Sequence, residues 1–274
     1  MSSTIELKDV GQVFRVRGED DRQLREFVAI EHLDLTVGAG EFLTLVGPSG
    51  CGKSTVLDLV SGLTRPSAGV VSVGGKEVTA PGLDRSVVFQ QYTLLPWRTA
   101  LGNIEFALEA AGGLKKAQRT ARAREYLELV GLSDFAGRYP HELSGGMKQR
   151  VAIARSLSYQ PEVLLMDEPF GALDAQTRER LQEELVHIWE ATGTTVVFIT
   201  HDIDEAIFLG QRVAVMSNRP GRIKAIVDVD LDRGSPDDDV RSTAEFARYR
   251  HQIWTMLREQ HSPVARLEEV HQVA

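Results

Sequence analysis

The sequence predicts an α/β fold: a mostly parallel sheet, an antiparallel β subdomain at its N-terminal side, and an α-helical subdomain inserted between two of its strands. Three observations point there. Phe42–Val46, Val163–Met166, Thr195–Ile199 and Val213–Met216 are almost continuously apolar, as strands are when both faces of a sheet are covered. Helical stretches separate them; Arg178–Ala191 sets Leu181, Leu185, Ile188 and Trp189 on one face. The region of about 93–160 breaks the alternation, because Asn103–Leu132 reads as helix, with only Gly112-Gly113 as a weak break. Strands alternating with helices build an open sheet with right-handed crossovers.

Taken in order, Thr4–Val10 alternates as a strand does, and Val13–Val16 continues it. Arg17–Glu26 is charged and suits a solvated hairpin tip. Ala29–Val37 is strand-like, and Gly38-Ala39-Gly40 is a turn. Val70–Val73 and Ser86–Phe89 look like hairpin strands that join the N-terminal ones in the antiparallel sheet. Residues 1–228 are expected to form one domain, with the helical insert inside it. Residues 229–274 are expected to be a tail: a loop at Gly234–Asp239, then an amphipathic helix, Ala244–Gln260. That helix carries Phe246, Tyr249, Ile253 and Leu257 on one side. It either packs on its own domain or regulates a partner.

Composition narrows the function. The chain has 274 residues, 42% of them hydrophobic and 26% charged, and a net charge of −8. Those proportions fit a soluble globular protein rather than a disordered or coiled-coil one. The acidic balance argues against nucleic acid as a partner, since a phosphate backbone calls for a basic face. One cysteine, Cys51, leaves no internal disulfide. The N-terminus lacks the basic and apolar blocks of an export signal, and no apolar run nears the ~20 residues of a membrane span. The expected location is therefore cytoplasmic, with any membrane work done by docking to another subunit.

Gly47-Pro48-Ser49-Gly50-Cys51-Gly52-Lys53-Ser54 satisfies G-x-x-x-x-G-K-[ST] at every position. A strand precedes it, and a helix follows that ends at Gly62. The chain is thus expected to be a P-loop NTPase, with Gly47–Thr55 as the nucleotide-binding run. Glycines let backbone N–H groups approach phosphate oxygens, and the helix N-terminus favours the anion. Lys53 brings charge to the β- and γ-phosphates, and the Ser54 hydroxyl can ligate Mg²⁺. A chance glycine-rich turn is the bland alternative. Cys51 has two readings: a thiol activated by the helix N-terminus, or any residue that fits the loop.

Val163-Leu164-Leu165-Met166-Asp167-Glu168 is an apolar strand ending in two carboxylates. Ligand sites in open α/β sheets lie at the carboxyl ends of strands, so both belong beside the phosphate loop. Neighbours on a strand point opposite ways. Asp167 is therefore assigned to the Mg²⁺ shell and Glu168 to the attacking water. Taken alone, the pair would read as solvated acids.

Leu143-Ser144-Gly145-Gly146 opens a second helix suited to meet a phosphate. One chain is not expected to bring both glycine-bearing helix starts to one γ-phosphate; two chains arranged head to tail would.

These residues resemble the signature motif of ATP-binding cassette (ABC) ATPases. Gln90 resembles the glutamine of that family's Q-loop, Gly171-Ala172-Leu173-Asp174 its D-loop, and His201 its switch histidine. The resemblance spans roughly residues 5–226 and implies a RecA-like P-loop core. It also implies roles: Gln90 on Mg²⁺ and sensing the γ-phosphate, Asp174 across a dimer interface, His201 at the γ-phosphate, and Ser144, Gly145 and Gly146 on the partner's nucleotide. Phe14 falls where an aromatic stacks on adenine, although a core role in its strand fits equally. His32, His141, His187, His251, His261 and His271 read as structural or solvated.

Leu94-Leu95-Pro96-Trp97-Arg98-Thr99 either folds into the helical insert or forms a socket for another subunit. It resembles the nitrate, sulfonate and taurine branch of ABC importers, as do Leu143–Arg150, Phe170–Asp174 and Phe198–Ala206. The resemblance implies an ATPase for a small oxyanion importer at the cytoplasmic face of the inner membrane. It would pair with itself or a second cassette, dock a transmembrane permease near Gln90–Arg98, and serve a periplasmic or lipoprotein solute receptor indirectly. The alternatives are a non-transport ABC ATPase or an ATP-dependent regulator. Long coiled-coil inserts and a second cassette, expected of the former, are absent from this sequence, and Glu168 and His201 oppose the latter.

Overall fold

The structure, a computed structural model, describes residues 2–17, 24–232 and 240–258. The centre of the expected hairpin tip, the Gly234–Asp239 loop, the last two residues of the expected C-terminal helix, and His261 and His271 lie outside the described residues.

Two sheets organise the chain. The first is antiparallel, in the order β2 (Leu24–Val37), β1 (Ile5–Arg17), β4 (Ala68–Val73), β5 (Lys76–Glu77). The second has six strands: β10 (Ile223–Asp228), β9 (Arg212–Met216), β3 (Phe42–Val46), β8 (Thr195–Ile199), β7 (Val163–Asp167), β6 (Arg85–Val88). All neighbours in it are parallel except β10 with β9. The expected α/β fold is the observed one.

The apolar runs follow from what covers them. Leu43, Leu45, Val163, Leu165, Val197 and Ile199 face one core, shared with the antiparallel sheet and with α1 (Lys53–Ser61). Phe42, Val46, Leu164, Met166, Val196 and Phe198 face the other. The second core receives α2 (Ala100–Ala111), α3 (Lys116–Leu129), α4 (Gly145–Leu157), α5 (Ala175–Thr192) and α6 (Ile203–Leu209). Period-2 side chains thus find apolar partners on both faces, and no polar alternation is needed.

Two expectations need correcting. Ser86–Phe89 does not join the antiparallel sheet. β6 lies parallel to β7, with Arg85 opposite Val163 and Val88 opposite Met166. The Asp84 carbonyl sets that register by accepting from the Glu162 and Val163 amides at 2.8 and 3.0 Å. β4 pairs instead with β5 across the Gly74-Gly75 turn. The helical reading of Asn103–Leu132 also resolves into two helices, because Gly112 and Gly113 both adopt positive φ between α2 and α3.

At the C-terminal side, α7 (Ala244–Arg258) buries Phe246, Tyr249 and Ile253 in the second core. The Tyr249 hydroxyl accepts from the Asp230 amide at 3.2 Å. The helix packs on its own domain.

Candidate active site

The phosphate loop bridges β3 and α1. Gly52 has φ 104°, and a side chain there would press within 3.2 Å of the Ala29 carbonyl, so the turn into α1 demands glycine. Lys53 is buried, and its ammonium donates to the Gly47 and Pro48 carbonyls at 2.8 and 3.1 Å. The Cys51 side chain points into the core. Burial pushes its thiol pKa up, against the smaller pull of Lys53, which removes the activated-thiol reading. Any contact of Cys51 with a ligand runs through its backbone.

Four expected residues, Gln90, Asp167, Glu168 and His201, lie at the same edge of the parallel sheet as the loop. β7 ends at Asp167, β6 at Val88 just before Gln90, and β8 at Ile199 just before His201. Burial raises the Asp167 pKa, and the Glu168 charge adds to that; a hydrogen bond from the Ser54 hydroxyl and the Lys53 charge pull it down. Asp58, one turn into α1, is likewise raised by burial and by Asp167.

Glu168 stands beyond the strand, at φ 43°. Its amide donates to the Ile199 carbonyl at 3.0 Å, and its carbonyl accepts from Gly171 at 3.2 Å. That turn, rather than strand alternation, separates the two carboxylates. It brings Glu168 Oε2 to 3.1 Å from His201 Nδ1, where an Nδ1–H donates to the carboxylate. A Cβ on Gly171 would sit 3.5 Å from Gln90 Nε2 and 4.0 Å from Glu168 Oε2. Gln90, Glu168 and Gly171 therefore crowd one point.

Among the described residues, no group of three or more His, Cys, Asp or Glu gathers as a metal nest. The donors at hand are the Ser54 hydroxyl, the Asp167 carboxylate and the Gln90 amide oxygen. That hard oxygen set suits Mg²⁺ completed by phosphate oxygens.

Ser144 lies elsewhere. It caps α4, its hydroxyl accepting from the Met147 amide at 3.2 Å. A Cβ on Gly145 would first meet Tyr92 Oη at 3.0 Å and Leu173 Cδ2 at 3.2 Å, and one on Gly146 would meet Thr177 Cγ2 at 2.8 Å. These neighbours belong to the segments after Gln90 and Glu168, not to the phosphate loop. Asp174 caps α5, accepting from the Thr177 amide at 2.9 Å, a bond that lowers its pKa.

Phe14 is half-buried and directly opposite Phe27, so the two rings share a face. The Arg219 guanidinium lies 4.0 Å over the Phe27 ring and donates to the Gly50 carbonyl at 2.9 Å. This ties the Phe14 face of the antiparallel sheet to the phosphate loop. Phe27, Arg219 and Tyr92 were not among the expected site residues; no local motif marks them, because their roles come from contacts distant in sequence.

Along the socket segment, Asn103 is buried and its side-chain amide holds the chain. It accepts from the Leu95 amide at 2.7 Å and donates to the Leu95, Arg98 and Thr99 carbonyls. Leu94 packs on the helical core, whereas Trp97 is 71% exposed. At Phe89 opens a cavity of about 380 Å³, lined also by Leu63, Leu83, Phe106, Arg155 and Tyr159.

Comparison with known proteins adds a lineage to this geometry. The profile described as ABC transporter matches residues 30–171. The nitrate import ATP-binding protein NrtD of Synechocystis is 46% identical over 260 residues, covering 93% of this chain and 95% of that one. The bicarbonate transport ATP-binding protein CmpD of the same organism is 49% identical over 227 residues, 82% of this chain and 80% of that one. An uncharacterised ABC transporter ATP-binding protein of Methanocaldococcus jannaschii is 48% identical, covering 95% of this chain and 93% of that one. Among solved structures, a dimeric ATP-binding cassette in a post-hydrolysis state with ADP and Pi matches with a TM-score of 0.70 and 34% identity. It covers 82% of this chain and 99% of that one.

Proposed function

Because this chain belongs to the ABC transporter family, as an ATP-binding and ATP-hydrolysing subunit, we infer that it powers the import of a small oxyanion such as nitrate or bicarbonate. Two copies close on two Mg-ATP molecules and move a docked permease; hydrolysis reopens them. The observation that carries the ATPase chemistry is the Glu168–His201 contact at 3.1 Å beside the phosphate loop.

Each residue then has a task. Backbone N–H groups of Gly47–Thr55 cradle the phosphates, and Lys53 exchanges its loop carbonyls for phosphate oxygens. Ser54, Asp167 and Gln90 would hold Mg²⁺, which would supply charge neutralisation to the triphosphate. Glu168 orients and deprotonates the attacking water, with His201 steadying the carboxylate and reaching the γ-phosphate. Phe14 offers its face to the adenine. Ser144, Gly145 and Gly146 meet the nucleotide held by the other copy, and Asp174 lies along the seam.

Among the described residues no helix is long and apolar enough to cross a membrane. The membrane partner is a permease whose helix docks along Gln90–Arg98, with the cavity at Phe89 and the exposed Trp97 as its contacts, and the chain works at the cytoplasmic face. Substrate identity rests on the named relatives, two of which are ATP-binding proteins named for nitrate import and bicarbonate transport.

The test is Glu168→Gln. ATP binding should persist while turnover falls ~100-fold or more, and closed dimers should accumulate in size-exclusion chromatography. Normal turnover would refute the role of Glu168. For the transport half, nitrate or bicarbonate with its receptor should stimulate the ATPase of the reconstituted permease complex; indifference to every small oxyanion would refute it.

A further inference from the structure

A buried carboxylate that this reaction scheme does not use sits directly behind His201. Glu205, in α6, is 5% exposed, and Gln182 facing it from α5 is 3% exposed. Burying a charge between two helices is costly, and an apolar pair of the same volume would fill the space as well. Its partners suggest why it is there. Glu205 Oε1 accepts from Gln182 Nε2 at 3.0 Å, and Oε2 accepts from the Thr200 hydroxyl. Thr200 precedes His201, and its hydroxyl oxygen accepts from the Asp202 amide at 3.0 Å, on the far side of His201.

The order of donors along this chain is fixed. Arg241, in the segment after Leu231, donates to Gln182 Oε1 at 2.5 Å and lies 3.9 Å over the Phe208 ring. A guanidinium only donates, so Gln182 must turn its oxygen to Arg241 and its NH₂ to Glu205. Both Glu205 oxygens then accept, and the Thr200 proton is committed to one of them. On the other side, the Asp202 carboxylate caps α6 and lies 3.7 Å from Arg178, which donates to the Leu173 carbonyl just before Asp174 at 3.0 Å. A second tie, Arg250 to both Asp204 carboxylate oxygens at 2.5 and 2.8 Å, joins α7 to α6.

We propose that Glu205 is a positioning residue for His201, and that the C-terminal segment, through Arg241 and Gln182, completes the hold and so sets the rate of hydrolysis. The proposal rests on the role given to His201 above. Thr200 also donates its amide to the Leu45 carbonyl at 3.2 Å, on the strand that enters the phosphate loop. The relay therefore references His201 to the triphosphate site rather than to the helical layer alone. Burial raises the Glu205 pKa, opposed by its bonds from Thr200 and Gln182.

The chemistry supplies its own rescue. Glu205→Gln alone breaks the pattern in every orientation: its NH₂ faces Gln182 Nε2, or Gln182 flips and presents its own NH₂ to Arg241, or the amide reverses, donates to the Thr200 oxygen and leaves the Thr200 proton without its acceptor. The exchange Gln182→Glu with Glu205→Gln restores the pattern, since Arg241 and the new NH₂ both donate to the carboxylate at 182, and the amide oxygen at 205 accepts from Thr200. In the full chain, Glu205→Gln should lower kcat about tenfold with the KM for ATP within about twofold, and the exchange should recover kcat to within about threefold. In a His201→Ala background, Glu205→Gln should cost nothing further. Arg241→Ala, at the outer end of the relay, should lower kcat about threefold at constant KM, and it decides the matter if Glu205→Gln does not fold. Unchanged kcat in Glu205→Gln or Arg241→Ala, an exchange that folds without recovering kcat, or full additivity with His201→Ala would each overturn the proposal. Wild-type turnover by His201→Ala itself would overturn the reading of the active site, a distinct result.

Discussion

The phosphate loop and the Ser144 turn are both helix starts rich in small residues, yet the fold treats them differently. The first is enclosed: Lys53 is buried, Asp167 and Ser54 are bonded to each other, and Glu168 and His201 close the same sheet edge. The second is an exposed cap on the helical insert, its hydroxyl engaged with its own helix and its glycines against Tyr92, Leu173 and Thr177. One gathers acidic, basic and hydroxyl groups at a sheet edge; the other is an exposed helix cap with no such groups from the phosphate loop around it. The difference teaches that binding and turnover are separable in this chain. On the proposed function, nucleotide affinity belongs to the enclosed site, and rate to the exposed cap of a second copy.

Variants can break that separation. The largest effect is expected for Lys53→Ala, which removes the charge aimed at the β- and γ-phosphates. ATP binding by calorimetry should fall beyond detection, and unchanged affinity would put the phosphates elsewhere. Next, Ser144→Arg crowds the exposed cap without touching the loop. Its ATP affinity as a monomer should stay within about twofold of wild type while turnover falls about 100-fold; loss of affinity in the isolated monomer would merge the two regions into one site.

Acidification sharpens the contrast. Burial holds the Asp167 pKa above the usual aspartate range, so it takes up a proton at a higher pH than an exposed aspartate. A proton competes with Mg²⁺ for this carboxylate, so the Mg²⁺ concentration for half-maximal ATPase should rise on acidification, and an unchanged Mg²⁺ dependence would contradict the assignment. For stability the sign is opposite: the folded chain holds that proton more tightly than the unfolded one, so ionisation destabilises the fold as pH rises through this window. Asp167→Asn should therefore raise the melting temperature at neutral pH while abolishing turnover, and a lowered melting temperature would contradict the assignment. The smallest effect is Ser144→Ala, which loses a helix cap for about 1 kcal/mol, or roughly 2–4 °C in melting temperature.

What the sequence could reveal follows the same divide between local and distant. The four apolar runs were legible because each strand is covered on both faces and so carries its burial in its own composition. The phosphate loop was legible because eight consecutive residues do one job. Ser86–Phe89 misled because a short strand does not encode its partner; the Asp84 carbonyl, bonded to residues far along the chain, decides it. Arg219 over Phe27 and the Arg241–Gln182–Glu205–Thr200 relay were invisible for the same reason. Nothing within ten residues of Arg219 or Arg241 announces Gly50 or Gln182, and only the folded sheet edge brings them together.

The central claim is that each ATP is held by one chain and fired by another. Mixing Lys53→Ala with Ser144→Arg tests it directly, because each variant is inactive alone and their heterodimer holds one intact site. The account predicts that ATP hydrolysis returns on mixing and rises with the fraction of heterodimer. A mixture as inactive as its parts, beside a wild-type chain that hydrolyses ATP as a strict monomer, would contradict it.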